Sequence, residues 1–193
     1  MTKIKAYADL PLSTREISRY ARCAEDSFPP FFDDCLLEAK QAFSYRLCFD
    51  IFDLRFQPDG TLAFGGAEVR SDDLKKNLNG CSRILLFAAT AGMKIDLLIR
   101  KYTALSPAKA VLFQAVGSAG VEALCDRFCA DLEVDFGNIK PRFSPGYGDF
   151  SLEFQKTVFS ILEPQKHIGV SLGENLLMTP SKSVTAIVGL LDS

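Results

Sequence analysis

The chain has 193 residues, of which 48% are hydrophobic and 24% charged, with sixteen Phe and no Trp. This is the composition of an ordinary globular protein, long enough to bury about 70% of its unfolded surface around a Phe-rich core. A net charge of −2 with no basic run longer than two residues argues against a nucleic-acid partner and against an anionic membrane surface, both of which need a basic face.

No apolar stretch approaches the roughly 18–20 residues of a membrane span. The opening MTKIKAYADLPLSTRE lacks the apolar centre of a signal peptide, so the expectation is a cytoplasmic protein. Six cysteines lie scattered at positions 23, 35, 48, 81, 125 and 129, mostly inside apolar patterns. They read as buried free thiols.

In chain order, Ser13-Thr14-Arg15-Glu16 is a capping box that opens a helix expected to run to about Glu25. Pro29-Pro30 ends that segment, and helical periodicity resumes from Phe31 to Ala42. From Tyr45 to Phe56 the pattern turns β-like, and Pro58-Asp59-Gly60 is a turn signal before a return strand at Thr61–Phe64. The two together predict an antiparallel hairpin. Ser71-Asp72-Asp73 caps a short helix that should stop near Asn79-Gly80. The continuous apolar run Ser82–Ala89 predicts a buried strand.

A helix is expected over Gly92–Tyr102, and Ser106-Pro107 opens a long one, since Pro near the first turn loses no needed hydrogen bond. Its broad apolar face makes it central, and Gly117 and Gly120 on that face read as sites of close packing rather than of ligand approach. After Pro141 come a loop, a helix near Ser151–Leu162, and β-like segments at Ile168–Leu172 and Val184–Leu191. No repeat or linker divides the chain. The expectation is one α+β domain over 1–193, with helices packed on a mainly antiparallel or mixed sheet.

The loop holds the most informative residues, Arg142-Phe143-Ser144-Pro145-Gly146-Tyr147. A guanidinium offers a planar fork for a carboxylate or phosphate. Pro-Gly turns the chain sharply, and the Tyr supplies a flat amphipathic face. The combination suits a small charged ligand with aromatic character; an Arg-capped surface turn with a packed Tyr has the same pattern.

Further residues follow in order: Lys166-His167-Ile168-Gly169, Leu172, Glu174, Met178, Pro180 and Ser183-Val184. Together with the Arg-x-x-Pro-Gly-Tyr loop, and with Val121-Glu122-Ala123-Leu124 upstream, this series resembles the activation (reactivation) domain of cobalamin-dependent methionine synthase. The resemblance covers residues 106–193, with no motif matched over 1–105. Thr179 stands where the family usually has Trp, and the family continues past this point into a segment with a Tyr that completes its pocket.

That resemblance implies an S-adenosylmethionine-binding protein that supports reductive methylation of cob(II)alamin. The cobalamin would come from a partner, a methionine synthase lacking its own activation domain, and the electron from a flavodoxin-type donor. The implied role is the activation component of a methyltransferase rather than a complete enzyme. Carried over, Arg142 pairs with the methionyl carboxylate, and the backbone at Ser144 and Gly146 approaches the ligand. Tyr147 walls the pocket, and Glu122 favours the sulfonium or ammonium charge. The alternatives are a non-enzymatic ligand-binding or scaffold module of the same fold, and a reactivator of another corrinoid protein.

Other chemistries find no support. Cys125 and Cys129 stand one helical turn apart, but with the lone His167 they do not complete a zinc spacing. Gly117-Ser118-Ala119-Gly120 falls mid-helix, where a nucleophile elbow cannot form. No phosphate loop or dinucleotide fingerprint is present. His167 reads as a structural residue, and Asp149, Glu153 and Glu163 as a solvated acidic face.

Overall fold

The computed structural model of the chain describes residues 1–25 and 27–191. Its centre is a four-stranded antiparallel sheet of β1 (Lys3–Tyr7), β2 (Tyr45–Asp53), β6 (Cys81–Thr90) and β9 (Ser183–Leu191), in the spatial order β1-β2-β6-β9. The sheet therefore draws on both the motif-poor and the motif-rich parts of the sequence. The fold is α+β, as expected.

The period-2 alternation of a strand, with both faces covered, explains why β6 is apolar from Ile84 to Ala89. Ile84, Leu86 and Ala88 face one layer, while Leu85, Phe87 and Ala89 face the other, and all six are fully buried. On one side lies α5 (Pro107–Phe136), whose Leu124, Cys125, Phe128 and Leu132 pack against the sheet. On the other side lie α6 (Phe154–Leu162), α7 (Pro164–Ile168), α3 (Asp72–Asn77) and a small sheet. That small sheet is β3 (Arg55–Phe56), β4 (Leu62–Phe64) and β5 (Ala67–Val69). A third cluster joins α1 (Thr14–Ala21), α2 (Phe32–Ala42) and α4 (Met93–Leu105) to the first half of α5 through Phe113, Val116 and Ala119.

By length and composition α5 does reach what a membrane crossing requires, against the expectation from sequence, but 61% of its most apolar window is buried inside the protein. It is the core helix around which both the sheet and the other helices pack. Gly117 and Gly120 allow this. A Cβ on Gly117 would lie 2.7 Å from Ile95 Cγ2, and one on Gly120 would lie 2.5 Å from the Phe43 ring.

Several boundaries differ from the sequence pattern. The first helix stops at Ala21, because Arg22 adopts a left-handed conformation (φ 55°) and its N–H closes the last turn on Arg19 and Ser18. The expected hairpin is only partly formed. The body of β2 pairs with β1 and β6, and only Arg55–Phe56 turns back onto β4. Leu54 breaks the strand: its N–H bonds the Ser82 carbonyl at 2.8 Å and its side chain is buried. The segment expected as β from Ile168 instead ends a helix. Ile168 closes α7, Gly169 takes φ 73°, and only Ser171–Leu172 (β7) pairs, with Met178–Thr179 (β8).

Among the described residues the six cysteines form no disulfide, with Cys35, Cys48, Cys81 and Cys125 buried and Cys23 and Cys129 half-buried. Burial pushes the Cys48 thiol up to about 12, which keeps it protonated and inert.

Candidate functional site

The loop between α5 and α6 is built onto the free edge of β9. Phe143 donates its N–H to the Ile187 carbonyl at 2.8 Å and accepts from the Ile187 N–H at 2.9 Å, and Lys140 N–H bonds the Gly189 carbonyl at 2.8 Å. The loop thus continues the sheet before it turns. In the turn, Tyr147 N–H bonds the Ser144 carbonyl at 3.2 Å and Gly146 N–H bonds the Phe150 carbonyl at 2.7 Å. Gly146 at φ 96° and Gly148 at φ 53° require the glycine conformation. A Cβ on Gly148 would also collide with the Asp73 carboxylate. Pro145 is buried beneath the turn, and Phe143 packs against Phe150 with ring centroids 6.2 Å apart.

Helix α3 brackets the loop at both ends. Asn77 Nδ2 donates to the Pro141 carbonyl at 3.2 Å. Asp149 accepts from Ser71 Oγ at 2.5 Å, from Asp72 N–H at 2.7 Å and from Asp73 N–H at 3.2 Å. Asp149 is exposed, as a solvated face requires, but its carboxylate is committed to capping α3. The Ser71 hydroxyl first, and the Asp72 N–H next, hold it below the ordinary carboxylate range.

Arg142 reaches from the loop to α5. Its Nη2 meets Glu122 Oε2 at 2.5 Å and its Nη1 meets Asp126 Oδ1 at 2.5 Å. Glu122 and Asp126 lie one turn apart on the same helix face, so a single guanidinium fork spans both. Burial works against the Arg142 charge, but the hydrogen bond to Asp126 and the surrounding negative charge outweigh it and raise its pKa. The two partners differ in environment: the Glu122 side chain is 31% exposed and that of Asp126 69%. The Asp126 contact is the more screened by water.

Arg142 and Glu122 meet at one open cavity of about 890 Å³, which Asp126 does not line. Arg142, Ser144 and Tyr147 line it from the loop and Glu122 lines it from α5. Four of the five residues singled out from sequence are thereby brought together. Gly146 shapes the turn, and its N–H, used by Phe150, is not a free donor for a ligand. Tyr147 is 65% exposed and Phe143, Met178 and Val184 add apolar wall. Lys76, Lys140 and Asp73 also line the cavity, so both signs of charge are present around an apolar middle.

Sequence reasoning missed Asn77, Gln155 and Thr185, which line the same cavity from α3, α6 and β9. Each is an ordinary polar residue in its own element, and no spacing connects positions 77, 155 and 185. Polar residues within apolar segments, Gln155 between Phe154 and Val158 along α6 and Thr185 between Val184 and Ala186 along β9, were the one available signal. Cys125 and Cys129 form no metal site, and among the described residues no group of three or more His, Cys, Asp or Glu could hold a metal ion. His167 lies half-buried in the last turn of α7, with its N–H bonded to the Glu163 carbonyl at 3.2 Å.

No family model matches the sequence, and no curated protein matches it. The fold is similar to that of a solved structure, the crystal structure of the MetH reactivation domain bound to AdoHcy. The two superpose with a TM-score of 0.69 at 14% sequence identity, over 100% of this chain and 79% of that one. The chain has the fold of that reactivation domain.

Proposed function

We propose that this chain binds S-adenosylmethionine in the cavity beside Arg142 and presents its methyl group to a corrinoid held by a partner protein. The observation that carries the reading is the convergence of Arg142, Ser144, Tyr147 and Glu122 on one cavity of about 890 Å³. Cavities on the order of 300–1,000 Å³ are the usual size for ligands of this class. The similarity of fold to a domain whose structure holds AdoHcy supports it.

S-adenosylmethionine carries a carboxylate, an ammonium, a sulfonium and a flat purine. The cavity offers a counterpart to each kind of group. Arg142 is the anion-binding fork. Both of its terminal nitrogens are engaged by carboxylates, so an incoming carboxylate takes the place of Asp126, the more exposed of the two partners. Glu122 then remains to balance the guanidinium and to attract the cationic part of the ligand. Tyr147, exposed at the mouth, supplies a flat apolar wall.

The chain's own contribution to methyl transfer is positioning, holding the donor's methyl group outward where a partner can reach it. The cobalamin supplied by that partner carries the chemistry: one electron from a flavodoxin-type donor makes cob(II)alamin the nucleophile that accepts the methyl, leaving S-adenosylhomocysteine. The partner in this reading is a cobalamin-dependent methionine synthase without an activation domain of its own.

Titration calorimetry of the full chain with S-adenosylmethionine and S-adenosylhomocysteine tests the binding step. One-to-one binding of both is expected, and binding of neither overturns the reading.

A further inference from the structure

Among the described residues, four buried side-chain polar atoms have no hydrogen-bond partner: Tyr45 Oη, Asn77 Oδ1, Gln155 Oε1 and Thr185 Oγ1. Three of those four residues line the cavity. They come from three separate elements, α3, α6 and β9, and Gln155 and Thr185 are only 6% and 2% exposed. Buried polar atoms are almost always paired, and leaving one unpaired destabilises the fold. A cluster of them around a single cavity marks the place where a ligand supplies the partners.

The chemistry of the trio specifies that ligand. The Asn77 amide has committed a donor to the Pro141 carbonyl, which leaves its oxygen as an acceptor. Gln155 offers a second amide oxygen, and the Thr185 hydroxyl both donates and accepts. Two acceptors and a hydroxyl call for a group with two N–H donors next to an acceptor. An exocyclic amine beside a ring nitrogen, as on the edge of adenine, has that pattern. Phe143, Met178 and Val184, which line the same cavity, suit the faces of a flat ring.

We infer that Asn77, Gln155 and Thr185 form a specificity subsite that reads the amine edge of an adenine and rejects a purine with a carbonyl at that position. The inference rests on the reading of the cavity as a nucleoside-ligand site. A carbonyl oxygen there would face the amide oxygen of Asn77, acceptor against acceptor, because the bond from Nδ2 to the Pro141 carbonyl fixes how that amide is turned.

The test is calorimetry on the full chain with S-adenosylhomocysteine and S-inosylhomocysteine, which differ only in that edge. The inosyl compound is expected to bind at least about tenfold more weakly. Gln155→Leu and Thr185→Val should each bring the two affinities together. Thr185→Val keeps the side-chain shape and removes an unpaired hydroxyl, so its melting temperature should not fall; this separates loss of discrimination from loss of fold. Equal affinity of the wild type for both compounds overturns the inference while leaving S-adenosylmethionine binding intact. If neither homocysteine derivative binds but adenosine is preferred over inosine, the subsite stands and the methyl-donor reading falls. If the chain distinguishes neither pair, the subsite is overturned.

Discussion

Arg142 holds two carboxylates of α5, so substituting it acts on the ligand and on the loop at once. Arg142→Ala is expected to weaken S-adenosylmethionine binding by about 1.5–3 kcal/mol, the range for a charge-assisted hydrogen bond. Arg142→Lys should restore only part, because an ammonium cannot reproduce the planar fork. Calorimetry that finds wild type and Arg142→Ala equal would remove Arg142 from the site. Tyr147 makes the complementary case. It is 65% exposed, so Tyr147→Ala should change the denaturant-derived stability by less than about 0.5 kcal/mol while still lowering ligand affinity. A large loss of stability with unchanged affinity would make Tyr147 a packing residue instead.

Helix α5 ties the elements together, and two of its contacts give separate tests. At Gly117 a methyl group would press on Ile95, which is fully buried. Overpacking of this kind costs about 1–3 kcal/mol, against about 1 kcal/mol gained in helix propensity. Gly117→Ala should therefore lower the urea midpoint, and a raised midpoint would mean that the helix has room to move.

At the other end of α5, Asp131 joins the helix to β1, accepting from Lys5 and Tyr7 at 2.5 Å each and from Arg127 at 2.9 Å. Burial alone would raise its pKa, but the hydrogen bonds from Lys5, Tyr7 and Arg127 outweigh that and hold it at about 2. Because the folded-state value is depressed, the stabilisation is complete above the unfolded value of about 3.9 and is lost as the pH falls through the folded value. The melting temperature of the wild type should exceed that of Asp131→Asn near neutral pH, and the gap should close between about pH 4 and pH 2. A gap that stays constant over that window would show that the charge contributes nothing.

For the whole molecule the prediction concerns reactivation. With S-adenosylmethionine, a one-electron reductant and a methionine synthase lacking its activation domain, the chain should convert the cob(II)alamin spectrum to that of methylcobalamin. Omitting the chain should slow the conversion at least about tenfold, and Arg142→Ala should impair it through weaker binding of the methyl donor. Docking is expected to be transient, since the synthase also needs its cobalamin free for turnover. An unchanged rate with and without the chain, for methionine synthase and for other corrinoid proteins alike, would favour a ligand-binding module without a part in methylation.

Local chemistry made much of this protein readable. Capping hydroxyls placed the starts of α1 and α3, because a cap acts within three residues of itself, and Pro107 in the first turn placed the start of α5. The unbroken apolar run of β6 announced a strand covered on both faces, and Arg142, Ser144 and Tyr147, which line the cavity, stand within six positions of chain. What sequence left open was pairing at long range. Strand β1 is a short lysine-bearing edge, exposed along much of its length, and has no apolar pattern to reveal it. Nor does any local signal say that β2 prefers β6 to the nearer β4. Strand pairing is decided by which faces must be buried together, and that depends on the placement of α5 and α6 as well. The same holds for the cavity. Asn77, Gln155 and Thr185 become neighbours of Arg142 only when three elements close around the loop, so their unpaired oxygens acquire a meaning that no single segment carries.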